Sequence, residues 1–372
     1  MKTSLWRRWW PSTREGKRSR PVSRGGPLRP RLQVEQLEDR TLLSGTPQLL
    51  ADINPGAGNS FPLQLVVSGS TTYFWADDGT HGNQVWKTDG TTAGTSMVTD
   101  IHNPYRFTDV NGLLFFTAND GTHGTELWKS DGTAAGTSMV KDIFPGSSYP
   151  NSSNPRGLTN VNGTLFFTAN DGHGYELWKS DGTAAGTVMV ADINPNNSNP
   201  GSAGPDHLTN VNGELFFTAD DGVHGYELWK SDGTVAGTVL VKDVYPGSRW
   251  VNGWYGQYYV VNSSGPSNLT NVNGTLYFSA YDGQGNELWK SDGTAAGTSM
   301  VKDIYPGYFG GSVYPNSSNP TQLTNVNGTL YFSANDGTTG EELWKSDGTA
   351  AGTIPVADIN PGSGASSPQK LT

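Results

Sequence analysis

The chain has no cysteine. Disulfides and thiolate metal sites are therefore excluded, and the fold rests on packing and hydrogen bonds alone. It has no run near the ~18 consecutive apolar residues that a membrane-spanning helix needs, so no transmembrane segment is expected. Apolar residues make up only 34% of the whole, low for a globular protein. Positive charge is scarce outside the first 45 residues, where 11 Lys/Arg stand against 4 Asp/Glu; the remainder carries 13 basic and 30 acidic residues, a balance of −17. A body of that sign repels nucleic acid and other polyanions. No Gly-x-Ser-x-Gly, His-Glu-x-x-His or phosphate-binding loop occurs, and no nucleophile–base pair stands out, so the chain reads as non-enzymatic.

What is abundant is glycine (49) and proline (22), and they fall in a repeat. The segment Glu176-Leu-Trp-Lys-Ser-Asp-Gly-Thr-Ala-Ala-Gly-Thr187 has near copies with the tryptophan at Trp86, Trp128, Trp178, Trp229, Trp289 and Trp344, spaced by 42, 50, 51, 60 and 55 residues. A period of that size means stacked or radial units. One unit reads as four short strands: A at Leu158–Val161, B at Thr164–Ala169, C at Tyr175–Ser180 and D at Thr187–Ile193. Asn162-Gly163 supplies a tight hairpin turn between A and B, and Asp-Gly pairs supply the others. Strand B carries Leu165 and Phe167 on one face and Phe166 on the other, so its sheet must be covered on both sides. Radial packing of blade on blade does this. The pattern predicts an all-β fold, a closed β-propeller of four-stranded antiparallel blades over residues 46–372, with each strand-C tryptophan a buried spacer between blades. Six blades are expected. Seven is the alternative, because Gln48–Ile53 repeats a D strand and Lys370–Thr372 the start of an A strand.

Residues 1–45 carry no repeat and predict a disordered basic leader for export or sorting. Within it, Leu37-Glu-Asp-Arg-Thr-Leu-Leu-Ser44 resembles the LEPR-XLL motif of bacterial surface proteins, with Asp39 at the motif's proline; the resemblance implies an extracellular or cell-surface destination. Residues 46–372 resemble the ELWxxDGT repeat proteins, a bacterial exported family. The match is specific in five units and departs in the first, at Gln84-Val85-Trp86. That family implies no known reaction.

In an antiparallel blade the A–B and C–D turns share one end and the B–C turns and D–A crossings share the other, where the variable loops fall. Two crossings are long and aromatic. They nominate Trp250, Trp254, Tyr255, Tyr308, Phe309 and Tyr314 as a ligand-binding patch for a polysaccharide or a surface protein. The B–C turns, such as Asn119-Asp120-Gly121 and Asp220-Asp221-Gly222, offer oxygens to which Ca²⁺ could bind, but they lack the spacing that encloses one ion, and no other cofactor is expected. Turn histidines His81, His123, His173 and His224 lie too far apart to share a zinc and read as solvated. The functional expectation is a non-enzymatic cell-surface recognition or structural repeat module. The alternatives are a propeller-type glycan-processing hydrolase or lyase, and a purely structural spacer.

Overall fold

The computed structural model describes residues 47–146, 151–195, 204–253, 256–308, 310 and 313–371. The expected leader and its motif lie outside them. The described chain forms six four-stranded antiparallel sheets, each a simple up-and-down meander, and one two-stranded hairpin. No helix among the described residues is long and apolar enough to cross a membrane.

The third sheet shows why the repeat folds this way. Its strands are Arg156–Val161, Thr164–Asn170, Tyr175–Ser180 and Val188–Ala191, within three residues of the boundaries expected. Asn162 and Gly163 both have positive φ, 52° and 82°, the conformation of a two-residue turn whose twist matches the flanking strands. Strand B is buried on both faces as expected. Leu165 and Phe167 join Val110, Phe115 and Leu127 of the second blade. Phe166 joins Leu215 and Phe217 of the fourth. The blades are therefore radial units whose cores lie between sheets rather than within them, and the fold is a β-propeller.

Strand A is innermost. Successive A strands, at Leu63–Ser68, His102–Val110, Arg156–Val161, Asp206–Val211, Ser267–Val272 and Thr321–Val326, pack one on the next. Each carries a residue of positive φ, second in five of the strands and fifth in His102–Val110: Gln64, Arg106, Gly157, His207, Asn268 and Gln322 all lie between 55° and 64°. Of the strand-C tryptophans expected to be buried, Trp178, Trp289 and Trp344 are buried between blades, whereas Trp86, Trp128 and Trp229 are only partly buried. A lysine of the preceding blade lies over each of the three buried rings, as Lys141 does over Trp178 at 5.7 Å.

The expectation of a closed ring is corrected. The six blades make five interblade cores, between blades one and two through five and six. The sixth A strand makes no comparable packing against the first. Facing residues of the end blades stay exposed, whereas their equivalents inside the array are buried: Val356 is 45% exposed and Val301 only 7%. The array is open between its last blade and its first.

Candidate functional site

A buried glutamate links each blade to the next, and sequence reasoning missed it. Glu227 of strand C is fully buried. One carboxylate oxygen accepts the Val244 backbone N–H at 3.0 Å and the Ser264 hydroxyl at 2.5 Å; the other accepts the Ser264 N–H at 2.8 Å. Val244 ends the fourth blade and Ser264 leads into the fifth, so the carboxylate pins both ends of the crossing. Glu126 does the same with Ile143 and Ser153, and Glu287 with Ile304 and Ser318. Burial pushes the Glu227 carboxyl up to about 7 against the lowering effect of the Ser264 hydroxyl and the two backbone N–H groups, with the Asp243 charge adding to the rise. Burial likewise raises Glu126 to about 7. At the open end Glu342 keeps equivalent bonds, yet its carboxyl is lowered. Burial still pushes it up there, but less than the Ser366 hydroxyl and the neighbouring N–H groups push it down. The first blade carries Gln84 instead, whose Oε1 accepts the Ile101 N–H and whose Nε2 donates to the His81 carbonyl and to Asp100. The signal was present in the sequence: Ser-x-Pro recurs downstream of the strand-C glutamate, at Ser153, Ser264, Ser318 and Ser366.

A serine hydroxyl on a carboxylate of raised pKa would be the start of a nucleophile pair. Here both partners are sealed from solvent, as Ser153 and Glu126 are, and the arrangement repeats from blade to blade. These pairs are structural.

The two ends of the array differ in charge balance. At the C–D end each turn aspartate accepts the N–H and hydroxyl of the threonine two residues on, as Asp181 does from Thr183 at 2.8 Å each. A lysine of the preceding blade reaches the same turn: Lys129 donates to the Gly182 carbonyl and its charge helps to hold Asp181 low, after the Thr183 bonds. Lys87 and Lys179 repeat this at Gly132 and Gly233. A lysine charge of the preceding blade thus contributes at five of these turns, Asp89 being the exception.

At the B–C and D–A end the turn aspartates also accept from their own loops, as Asp78 does from the Thr80 and His81 N–H groups and Asp336 from Thr338 and Thr339, but no lysine is bonded to these turns among the described residues. The turns of this end carry Asp78, Asp120, Asp171, Asp221, Asp282 and Asp336, and its crossings open with Asp100, Asp142, Asp192, Asp243, Asp303 and Asp358. These groups feel one another: Asp303 is pushed up by burial and then by the Asp282 charge. One oxygen each of Asp142 and Asp243 is buried with no partner among the described residues. Lys141, Lys242 and Lys302, next in sequence, turn away to threonine carbonyls of the following blade.

The turn histidines are open to solvent, as expected, and are bonded to this acid as well. Nδ1 of His81, His123 and His224 lies 2.6–2.7 Å from Asp78, Asp120 and Asp221. The bond to the aspartate, more than its charge, lifts all three above the ordinary histidine value of 6.5. Asp78 falls to about 2, chiefly through the His81 N–H and side chain. Because the histidine pKa is raised on folding, each pair's contribution is complete below pH 6.5. It fades as pH climbs through the raised value. We expect a carbon-detected histidine titration to place these three above 6.5 and Asp120→Asn to return His123 to it; no movement of His123 in that variant would refute the pairing. The first turn oxygens nominated for Ca²⁺ are engaged by their own loops, as Asn119 and Asp220 each accept the N–H two residues on at 2.7 Å. No group of three or more metal-competent side chains gathers among the described residues.

The aromatic crossings lie at this same end. The first is an unexpected hairpin, Ser248–Gly253 paired with Gly256–Val261. Trp250 on it is 66% exposed and packs edge-on against Tyr259 at 5.4 Å. In the second, Tyr308 donates to Gln284 of the fifth blade's B–C turn, and Tyr314 is 73% exposed. Trp254, Tyr255 and Phe309 lie outside the described residues.

No family model and no curated protein matches the chain. Among solved structures it is similar to the β-propeller domain of the Trilobed protease from Pyrococcus furiosus, at 10% identity and a TM-score of 0.44, covering 80% of this chain and 84% of that one. It is similar also to a puromycin hydrolase mutant complexed with PGG, at 13% identity and 0.44, and to Pyrococcus horikoshii acylaminoacyl peptidase, at 10% and 0.42. The matches cover 81% of this chain and less than half of those two, 46% and 45%. The likeness is one of fold. Against the expectation of a non-enzymatic surface module binding polysaccharide or protein through aromatic loops stands that the structures found include propellers of peptidases and hydrolases; at these identities and scores the likeness is of fold alone.

Proposed function

We propose that this chain is the propeller part of a peptide-processing protein and that its acidic end engages basic polypeptide segments. The reading rests on the contrast between the two ends. At one end every turn aspartate is bonded by threonine and all but Asp89 also feel a lysine charge of the preceding blade; the other carries aspartates at turns and crossings while the adjacent lysines point away. A concentrated field of one sign raises the local concentration of counter-charged ligand and speeds its capture. The sealed Ser–Glu pairs take no part in chemistry, so catalytic groups are not assigned to them.

Fluorescence anisotropy with a labelled Lys/Arg-rich peptide tests this. Binding should weaken at least about tenfold between low and high salt, as screening shortens the reach of the field. Replacing Asp142, Asp243 and Asp303 together with Asn should weaken it further, and a Glu-rich peptide should not bind. Equal binding of both peptides, or none of either, rules the proposal out.

A further inference from the structure

The grooves between blades at the C–D end share one frame and differ in what fills it. Each is floored by the glycine of an Asp-Gly turn. Lys87, Lys129, Lys179 and Lys290 of the preceding blades donate to that glycine's carbonyl. Two positions supply the fill: the residue that follows the A–B turn, and the strand-B ring two residues on. Between blades one and two, and again between five and six, the fill is a tyrosine hydroxyl, Tyr73 closing on Gly132 and Tyr277 on Gly348. Between two and three it is apolar, with Leu113 and Phe115 against Gly182.

Between four and five the fill is a carboxylate. Glu214 stands at the Leu113 position, against Gly293 and 2.9 Å from the Lys230 ammonium. The same ammonium helps to hold Asp292 of the turn low, after the Thr294 bonds. One lysine there serves two carboxylates.

Between three and four the frame is kept and the fill is missing. Thr164 stands at the Glu214 position, and the ring, Phe166, carries no hydroxyl. An open cavity of about 160 Å³ results, lined by Thr164, Phe166, Lys179, Asp232 and Gly233 among others. Lys179 gives one N–H to the Gly233 carbonyl at 2.8 Å, and an ammonium has three to give. Its charge acts on Asp232 as that of Lys230 does on Asp292. What Thr164 lacks beside Glu214 is the outer end of the side chain, a CH2–COO⁻ group the size of acetate.

We propose that this groove is a binding site for a small monocarboxylate of two or three carbons, seated on the Lys179 ammonium as the Glu214 carboxylate is on Lys230. The Phe166 ring covers its alkyl end. Asp232 beside it disfavours an anion of higher charge. The site lies at the opposite end from the acidic turns and stands whether or not those bind basic peptide.

The backbone amide resonances of Gly233 and Gly293 in the full chain test this. Sodium acetate or propionate, titrated against sodium chloride at constant ionic strength, should shift the Gly233 amide and saturate with a Kd of about 1–10 mM, the strength of one exposed ion pair. Propionamide and inorganic phosphate should bind at least about tenfold more weakly, the first for want of charge and the second through repulsion by Asp232. Thr164→Glu supplies the carboxylate from the chain itself and should abolish the response. Glu214→Thr should do the reverse and add a saturable shift at Gly293. Unchanged melting curves check that both variants keep the fold. No saturable shift at Gly233 in the parent, an equal response to propionamide or phosphate, an undiminished response in Thr164→Glu, or no new site at Gly293 in Glu214→Thr would each overturn the proposal.

Discussion

Replacing Glu227 with Ala should destabilise the propeller by about 3–5 kcal/mol, because it strands two backbone N–H groups and a hydroxyl in a dry crossing. The carboxylate is the acceptor for Val244 N–H, Ser264 N–H and Ser264 Oγ, and among the described residues only the Tyr226 carbonyl, 3.5 Å from Ser264 Oγ, also reaches one of them. Glu227→Gln should cost much less, since Gln84 holds the equivalent crossing of the first blade by its amide oxygen. The pair of variants also carries a pH signature. Burial holds the Glu227 carboxyl at about 7, above the 4.5 of an exposed glutamate. The folded state therefore keeps a proton that the unfolded state releases, and this contribution is complete below pH 4.5 and lost as pH rises through about 7. A shift of that size corresponds to about 3 kcal/mol at most. Urea unfolding at pH 5 and pH 8 should show parent stability falling across that interval and the Gln variant falling less. A Glu227→Ala cost below about 1 kcal/mol would show that the crossing does not depend on this group.

Trp178→Ala should cost a similar amount, about 3–5 kcal/mol, the usual range for truncating a buried aromatic. The ring lies between the second and third blades against Phe115, Leu127 and Val140, and it carries the Lys141 ammonium on its face. Its indole N–H has no partner among the described residues, so packing area rather than hydrogen bonding is what the ring contributes. Trp86, in the first blade and only half-buried, should lose less when truncated. Chemical denaturation of both variants checks the ranking, and equal losses would contradict the open end.

The strands were legible in the sequence because the cues are local. Asn162-Gly163 needs two positive φ values, and Leu165-Phe166-Phe167 needs cover on both faces. The entry to strand A was not legible: Gln64, Arg106, His207 and Lys370 share a left-handed φ without sharing any side-chain chemistry, so the backbone there is set by the neighbouring strand. The hairpin from Ser248 to Val261 has no counterpart in the other units, and periodicity could not place it. Closure of the ring is a matter of whether Val326 and Val356 meet Leu65 and Phe74, which no local pattern specifies. The charge contrast between the ends was half visible. The Asp-Gly turns could be read, but not that Lys129 reaches forward one blade to neutralise the turn at Gly182.

Hydrogen–deuterium exchange of the full chain with and without a saturating Lys/Arg-rich peptide tests the central functional claim most directly. Protection should appear in the B–C turns, around 77–82, 119–124 and 220–225, and at the crossings that open with Asp142, Asp243 and Asp303. The C–D turns at 131–136, 181–186 and 232–237 should exchange as before, because their aspartates are already matched by threonine and lysine. Protection at the C–D turns instead, or no protection anywhere at saturating peptide, would contradict it.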